Sequence, residues 1–146
     1  MLAFLISVSN FHAMNKYLLL ILGALPIFAF AQSDSKYAPF AIDNKNEIKA
    51  FIEDKPLYPR YKNLFEKYGY SGNGYSWEGI IIQILEKQNP QLLKHIQMDS
   101  EAGAFFAHAD TRASQLAFVK LLSPIFSDEK KLAVWLKNAD HKRIND

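Results

Sequence analysis

The chain reads as α+β: a mainly helical small single domain with a short, reduced β-sheet or hairpin, preceded by a cleaved signal peptide. Three observations carry that expectation. Apolar residues recur every three to four positions in several stretches beyond Pro56, the spacing of amphipathic helices. Ala104-Phe105-Phe106-Ala107-His108-Ala109 is apolar without a 3.6-residue period, which suits a strand or hairpin. Near the start, Leu18 to Phe30 is apolar throughout.

That apolar run has the plan of an export signal. Met14-Asn15-Lys16-Tyr17 supplies the charged start, and Ala29-Phe30-Ala31 the small-residue cut before Gln32. Its thirteen residues fall short of the ~20 needed to span a bilayer. The expectation is therefore cleavage after Ala31, with Met14 as the true initiator and no stable membrane insertion afterwards. No cysteine follows the cut to carry a lipid, so the expected location is periplasmic or secreted. Removing 31 of the 146 residues leaves 115, residues 32–146, the size of one domain. Cysteine is absent, which excludes disulfides, thiol chemistry and Cys-based zinc sites. Lys16 is the one formal charge before Gln32, so the net charge of +2 becomes +1 in the remainder. The basic residues are scattered. A nucleic-acid binder would gather them into a stripe, so no nucleic acid is expected as partner.

Along the remainder, Gln32 to Lys36 is polar and expected to fray. Tyr37 to Ile42 suits a short strand that Pro39 confines to an edge. Asn46 is placed to cap a brief helix with Ile48, Phe51 and Ile52 inward, broken by Asp54-Lys55-Pro56. A second helix follows with Leu57, Tyr61, Leu64, Phe65 and Tyr68 on one face. Pro56 and Pro59 fall in its approach or first turn, and Gly69 stops it. Gly72-Asn73-Gly74 is a tight turn. Ser76 then stands at an N-cap position with Glu78 in the first turn, and Trp77, Ile80, Ile81, Ile84 and Leu85 line a helix to about Gln88. Asn89-Pro90 interrupts it, and Asn89 caps one more helical turn through Leu92, Leu93 and Ile96. Met98 to Gly103 is a polar turn. Asp110 or Thr111 opens a helix apolar on several sides (Leu116, Phe118, Val119, Leu121, Leu122), a pattern of central helices, which Pro124 ends or kinks. Ser127 caps a last helix bearing Leu132, Trp135, Leu136 and Ala139, and His141 to Asp146 is a polar tail.

Catalytic motifs are scarce. His95, His108 and His141 lie on different segments, without the i, i+4 spacing of a helical metal site, so neither metal nor other cofactor is expected. His108, in its apolar surroundings, reads as hydrogen-bonded and partly buried. No serine sits in a G-x-S-x-G context. Ser71-Gly72-Asn73-Gly74 lacks the lysine and hydroxyl of a phosphate loop and follows a helix rather than a strand. Asp99 and Glu101, beside Phe105-Phe106, leave two readings open. One is an acid/base pair of a small secreted hydrolase acting on peptidoglycan or glycan. The other is an acidic, aromatic protein interface.

Three stretches in combination point further. Tyr68-Gly69-Tyr70-Ser71-Gly72-Asn73-Gly74-Tyr75-Ser76-Trp77 is followed by Met98-Asp99-Ser100-Glu101-Ala102-Gly103-Ala104-Phe105 and then by Leu122-Ser123-Pro124-Ile125-Phe126-Ser127-Asp128. From about Phe65 to Leu136 this resembles the fifty-first numbered family of immunity proteins from bacterial polymorphic toxin systems. The resemblance implies an α+β protein without enzymatic activity that binds and neutralises a cognate toxin domain encoded by a neighbouring gene. It also implies a longer strand-rich N-terminal portion than Tyr37 to Asn46 supplies, hence a reduced sheet here. With a signal peptide, the toxin would act in the cell envelope, on peptidoglycan or lipid or as a pore. The partner-binding residues expected on this basis are Tyr70, Asn73, Tyr75, Asp99 and Glu101, while Trp77, Phe105 and Phe106 suit the core equally well.

Overall fold

The computed structural model describes residues 35–52 and 57–144, within one compact unit spanning Gln32–Asp146. The segment expected to direct export, the expected break at Asp54-Lys55-Pro56 and the last two residues fall outside them. Among the described residues, four helices and a small antiparallel sheet make up this unit, the α+β class expected.

Helix α1 (Leu57–Lys67) forms as the apolar spacing predicts, with Tyr61 and Phe65 buried four residues apart. It stops where Gly69 takes φ +83°, a left-handed conformation that side chains resist. Helix α2 (Gly74–Gln88) begins earlier than its apolar stripe, because its cap is Asn73 and not Ser76. Asn73 is extended, and its Oδ1 accepts the Ser76 N–H at 2.8 Å. Ser76 is itself buried inside the first turn, its Oγ accepting from the Gly72 N–H at 3.1 Å. Thr111 caps α3 (Arg112–Phe126), and Pro124 falls in its last turn, two residues before the end. Asp128 caps α4 (Glu129–Asn138), accepting from Lys130 and Lys131. Ser127, expected in that role, donates instead to the Ala38 carbonyl at 2.5 Å.

The sheet runs β1-β2-β4-β3, all antiparallel, with β1 at Ala41–Ile42, β2 at Glu47–Phe51, β3 at Ile96–Met98 and β4 at Ala104–Ala109. Residues 47–51 are a strand and not the brief helix expected after Asn46. The reason is visible in the alternation Glu47-Ile48-Lys49-Ala50, which buries Ile48 and Ala50 and turns their neighbours outward. Asn46 takes φ +65° in the turn from β1, where Asp43 Oδ1 accepts from the N–H groups of Lys45 and Glu47. Full-length pairing with β4 then outweighs any local helical preference. Two smaller departures accompany it. Ser35–Tyr37 is a turn of 3-10 helix rather than frayed chain, so the strand begins only at Ala41. Asn89 does hold the Leu92 N–H, at 3.3 Å, but the 3-10 turn ends at His95 and Ile96 enters β3.

One sheet face packs on the helices. Phe40 is the hub, meeting Trp77, Phe105, Phe118 and Phe126 edge-on with ring centroids 5.3–6.2 Å apart. Trp77 extends the cluster to Tyr61 and Phe65 of α1, so sheet, α1, α2 and α3 share one aromatic core. Gln115, fully buried, ties α3 to the β1–β2 turn by donating to the carbonyls of Asp43 and Glu47.

Residues 141–144 are not a free polar tail. His141–Arg143 forms a 3-10 turn, and Ile144 is buried over Gly79 of α2. The polar groups that made this stretch look solvated are paired. Gln83 exchanges two hydrogen bonds with the Asp140 backbone. His141 stacks on Tyr70 at 4.3 Å. Arg143 grips Glu86 through two bonds of 2.8 and 2.6 Å, which hold the Glu86 carboxyl below its ordinary value. A depressed folded-state value stabilises the fold above the unfolded value, and that gain is lost as pH falls through the folded one. The urea midpoint should therefore fall on acidification below the ordinary value near 4.5, and Arg143→Ala should flatten part of that slope.

Candidate functional site

Among the described residues the other face of the sheet carries no helix, and its side chains form three rows across the strands. Pairing places Glu47, His108 and Gln97 in the first row. Lys49 and Phe106 are opposite one another in the second, and the Asp99 N–H donates to the Phe106 carbonyl at 3.0 Å, extending that row to Asp99. Phe51 and Ala104 share the third, and an isolated bridge from Ala104 adds Glu101. The result is an open groove of about 430 Å³ lined by Glu47, Lys49, Gln97, Asp99, Glu101, Phe106 and His108 with Ala107. Phe51 is 47% exposed at its end and meets Phe106 edge-on at 6.0 Å. Lys49 is bound in an ion pair by Glu47 on its own strand. A surface this shallow suits contact with a protein better than enclosure of a small substrate.

The acidic corner is held by the backbone. Glu101 and Ala104 close the β3–β4 hairpin with reciprocal bonds of 3.0 and 3.3 Å, and the Ser100 N–H donates to Glu78 on α2. Gly103 accepts from the Ile52 N–H at 3.1 Å. The first turn of α2 sits on the same hairpin: the Gly74 N–H donates to the Ala102 carbonyl at 3.1 Å. A Cβ at position 74 would stand 1.9 Å from the Glu101 carbonyl oxygen and 2.2 Å from that of Ala104. Gly74 is thus required by close approach, whereas Gly72, at φ +74°, is required by its turn. The glycine-rich stretch and the acidic stretch, separate in sequence, are one contact.

The residues expected at a partner surface divide accordingly. Asp99 and Glu101 stand together, exposed, in the groove. Tyr70 is 2% exposed, its hydroxyl donating to the Leu136 carbonyl and its ring stacked on His141. It is a core residue by placement. Asn73 commits its side chain to the α2 cap. Tyr75 is 43% exposed on the first turn of α2 and does not line the groove. Trp77 and Phe105 are core, while Phe106 faces outward, half-buried. His108 is exposed on the open face, contrary to the partly buried position expected, because it occupies the outward phase of β4. The sequence reading missed Glu47, Lys49, Phe51 and Gln97; the polar-apolar alternation of 47–51 was the signal for the first three. Among the described residues no group of histidines and acids is arranged to hold a metal, and no helix is long and apolar enough to cross a membrane.

A family model described as Immunity protein 51 matches residues 42–141. The chain belongs to that family. The match runs from β1 into the 3-10 turn at His141, taking in both packed motifs and the whole groove. Membership implies toxin neutralisation through binding of a cognate toxin, in a family that is generally non-catalytic. No curated protein and no solved structure matches the chain.

Architecture and surface separate by mutation. Gly74→Ala should destabilise by about 3 kcal/mol or more, since carbonyls rather than a flexible side chain oppose it. Asn73→Ala should cost about 1 kcal/mol for the lost cap. Tyr75→Ala should stay within about 0.5 kcal/mol. Urea titrations followed by circular dichroism measure all three.

Proposed function

We propose that this protein is a periplasmic immunity factor. It is exported by residues 1–31 and cut after Ala31. It neutralises a secreted antibacterial toxin, encoded by a neighbouring gene and acting in the envelope, by covering the toxin without chemistry of its own. The family match over residues 42–141 carries this reading, and the leader-like plan of Met14 to Ala31 supports the location. An immunity protein must be where its toxin acts, so an exported one implies a periplasmic target such as peptidoglycan, lipid or the inner membrane. Exposure of Asp99 and Glu101 on an open face fits binding better than general acid catalysis, which uses a carboxyl shielded from water.

The test is survival. The toxic domain of the adjacent gene, directed to the periplasm, should kill cells lacking this protein and spare those expressing it. A form starting at Gln32 and retained in the cytoplasm should not protect. Equal killing with and without the exported protein would sink the reading. Mass spectrometry of the periplasmic fraction should find the N-terminus at Gln32. The purified protein should leave peptidoglycan intact; hydrolysis that Glu101→Gln abolishes would favour an enzyme instead.

A further inference from the structure

We propose that the open sheet face is the surface that receives the toxin, and that it receives a cationic loop. An arginine or lysine of the toxin lies over Phe106 with its charged end between Asp99 and Glu101. This inference rests on the immunity reading above.

The pattern of ion pairing identifies the corner. Every other carboxylate among the described residues is already engaged. Glu47, Glu66, Glu86, Asp110, Asp128 and Glu129 are in ion pairs, and Asp43, Glu78 and Asp140 accept backbone N–H groups. Asp99 and Glu101 alone have no such partner among the described residues, and they are neighbours on one face. Lys49, which shares the row of Phe106 and Asp99, is paired with Glu47, so the corner stays negative on a chain whose net charge is +2.

The shape and stiffness of the corner fit the same ligand. Phe106 lies between Lys49 and Asp99 in its row, and Phe51 meets it edge-on at 88°. An aromatic face beside two carboxylates suits a cation, above all the flat guanidinium of arginine. The hairpin bearing the acids is fixed by bonds to Glu78, Gly74 and Ile52. A partner therefore meets charges already in place, which limits the ordering cost of binding. The groove between α3 and α4, with Val134 61% exposed, carries one charged side chain, Lys131, which is already paired with Asp128, and serves as the control surface.

The experiment titrates the mature protein, residues 32–146, with the toxic domain of the adjacent gene by isothermal calorimetry. Asp99→Asn and Glu101→Gln should each weaken binding by about tenfold or more, and together with Phe106→Ala should abolish it, with folding unchanged by circular dichroism. Glu101→Arg should be rescued by reversing one arginine or lysine of the toxin to glutamate. Val134→Asp should change affinity by less than about twofold. Tight binding that survives Asp99→Asn with Glu101→Gln, or is lost on Val134→Asp, overturns the inference while leaving toxin binding intact. A self-associating wild-type chain that these two acid substitutions make monomeric also overturns it, since a second copy then occupies the face. Failure of the wild-type protein to bind or protect removes the immunity reading itself.

Discussion

The contact between Gly74 and the Glu101–Ala104 hairpin is the constraint on which the rest of the arrangement depends. The first turn of a helix approaches a sheet so closely that no side chain fits between them. An amide of that turn donates to the hairpin, so the helix terminus partly satisfies its orphan N–H groups through tertiary structure. From that point α2 carries Trp77 into the aromatic cluster, where Phe40 joins it to β4 and α3. The position of α2 against the sheet and the geometry of the acidic corner are therefore set together.

This coupling divides the labour within each motif. In the glycine-rich stretch, Gly72, Asn73, Gly74 and Ser76 are occupied with the turn and the cap, and Tyr70 with the core. In the acidic stretch, backbone amides hold the hairpin, and the side chains of Asp99 and Glu101 are left over. A rigid backbone with uncommitted charges is a reasonable design for recognition, because the stability of the support does not rely on the groups that select a partner.

Much of this was legible in the sequence, for identifiable reasons. The helical period of Tyr61 and Phe65, of Ile80 and Ile84, and of Phe118 and Leu122 lies within single segments and needs no knowledge of neighbours. The apolar run at 104–109 likewise announced its strand. What failed depended on long-range partners. Residues 47–51 alternate for only a few positions, and their strand identity is fixed by β4, more than fifty residues on. The cap of α2 stands three residues before Ser76 and that of α4 one residue after Ser127, because the serines have equal local claims; Ser76 is drawn into the turn and Ser127 towards Ala38. The C-terminal stretch looked like tail because its charges are visible in sequence and their partners, Gln83 and Glu86, are not. For the candidate site, Asp99 and Glu101 stood out as letters, but the groove that joins them to Phe106 and His108 exists only once the register is known.

The outer strands add a consequence of their own. Among the described residues the sheet is bordered by β1, with two residues, and β3, with three, borders too brief for another chain to zip against. A visiting polypeptide finds little ladder to extend and must instead settle across the pleated surface, read by side chains and not by main-chain pairing. The same brevity discourages runaway sheet growth between copies. Recognition by side chains also means that preference can be retuned one residue at a time while the hairpin's length and path stay as they are.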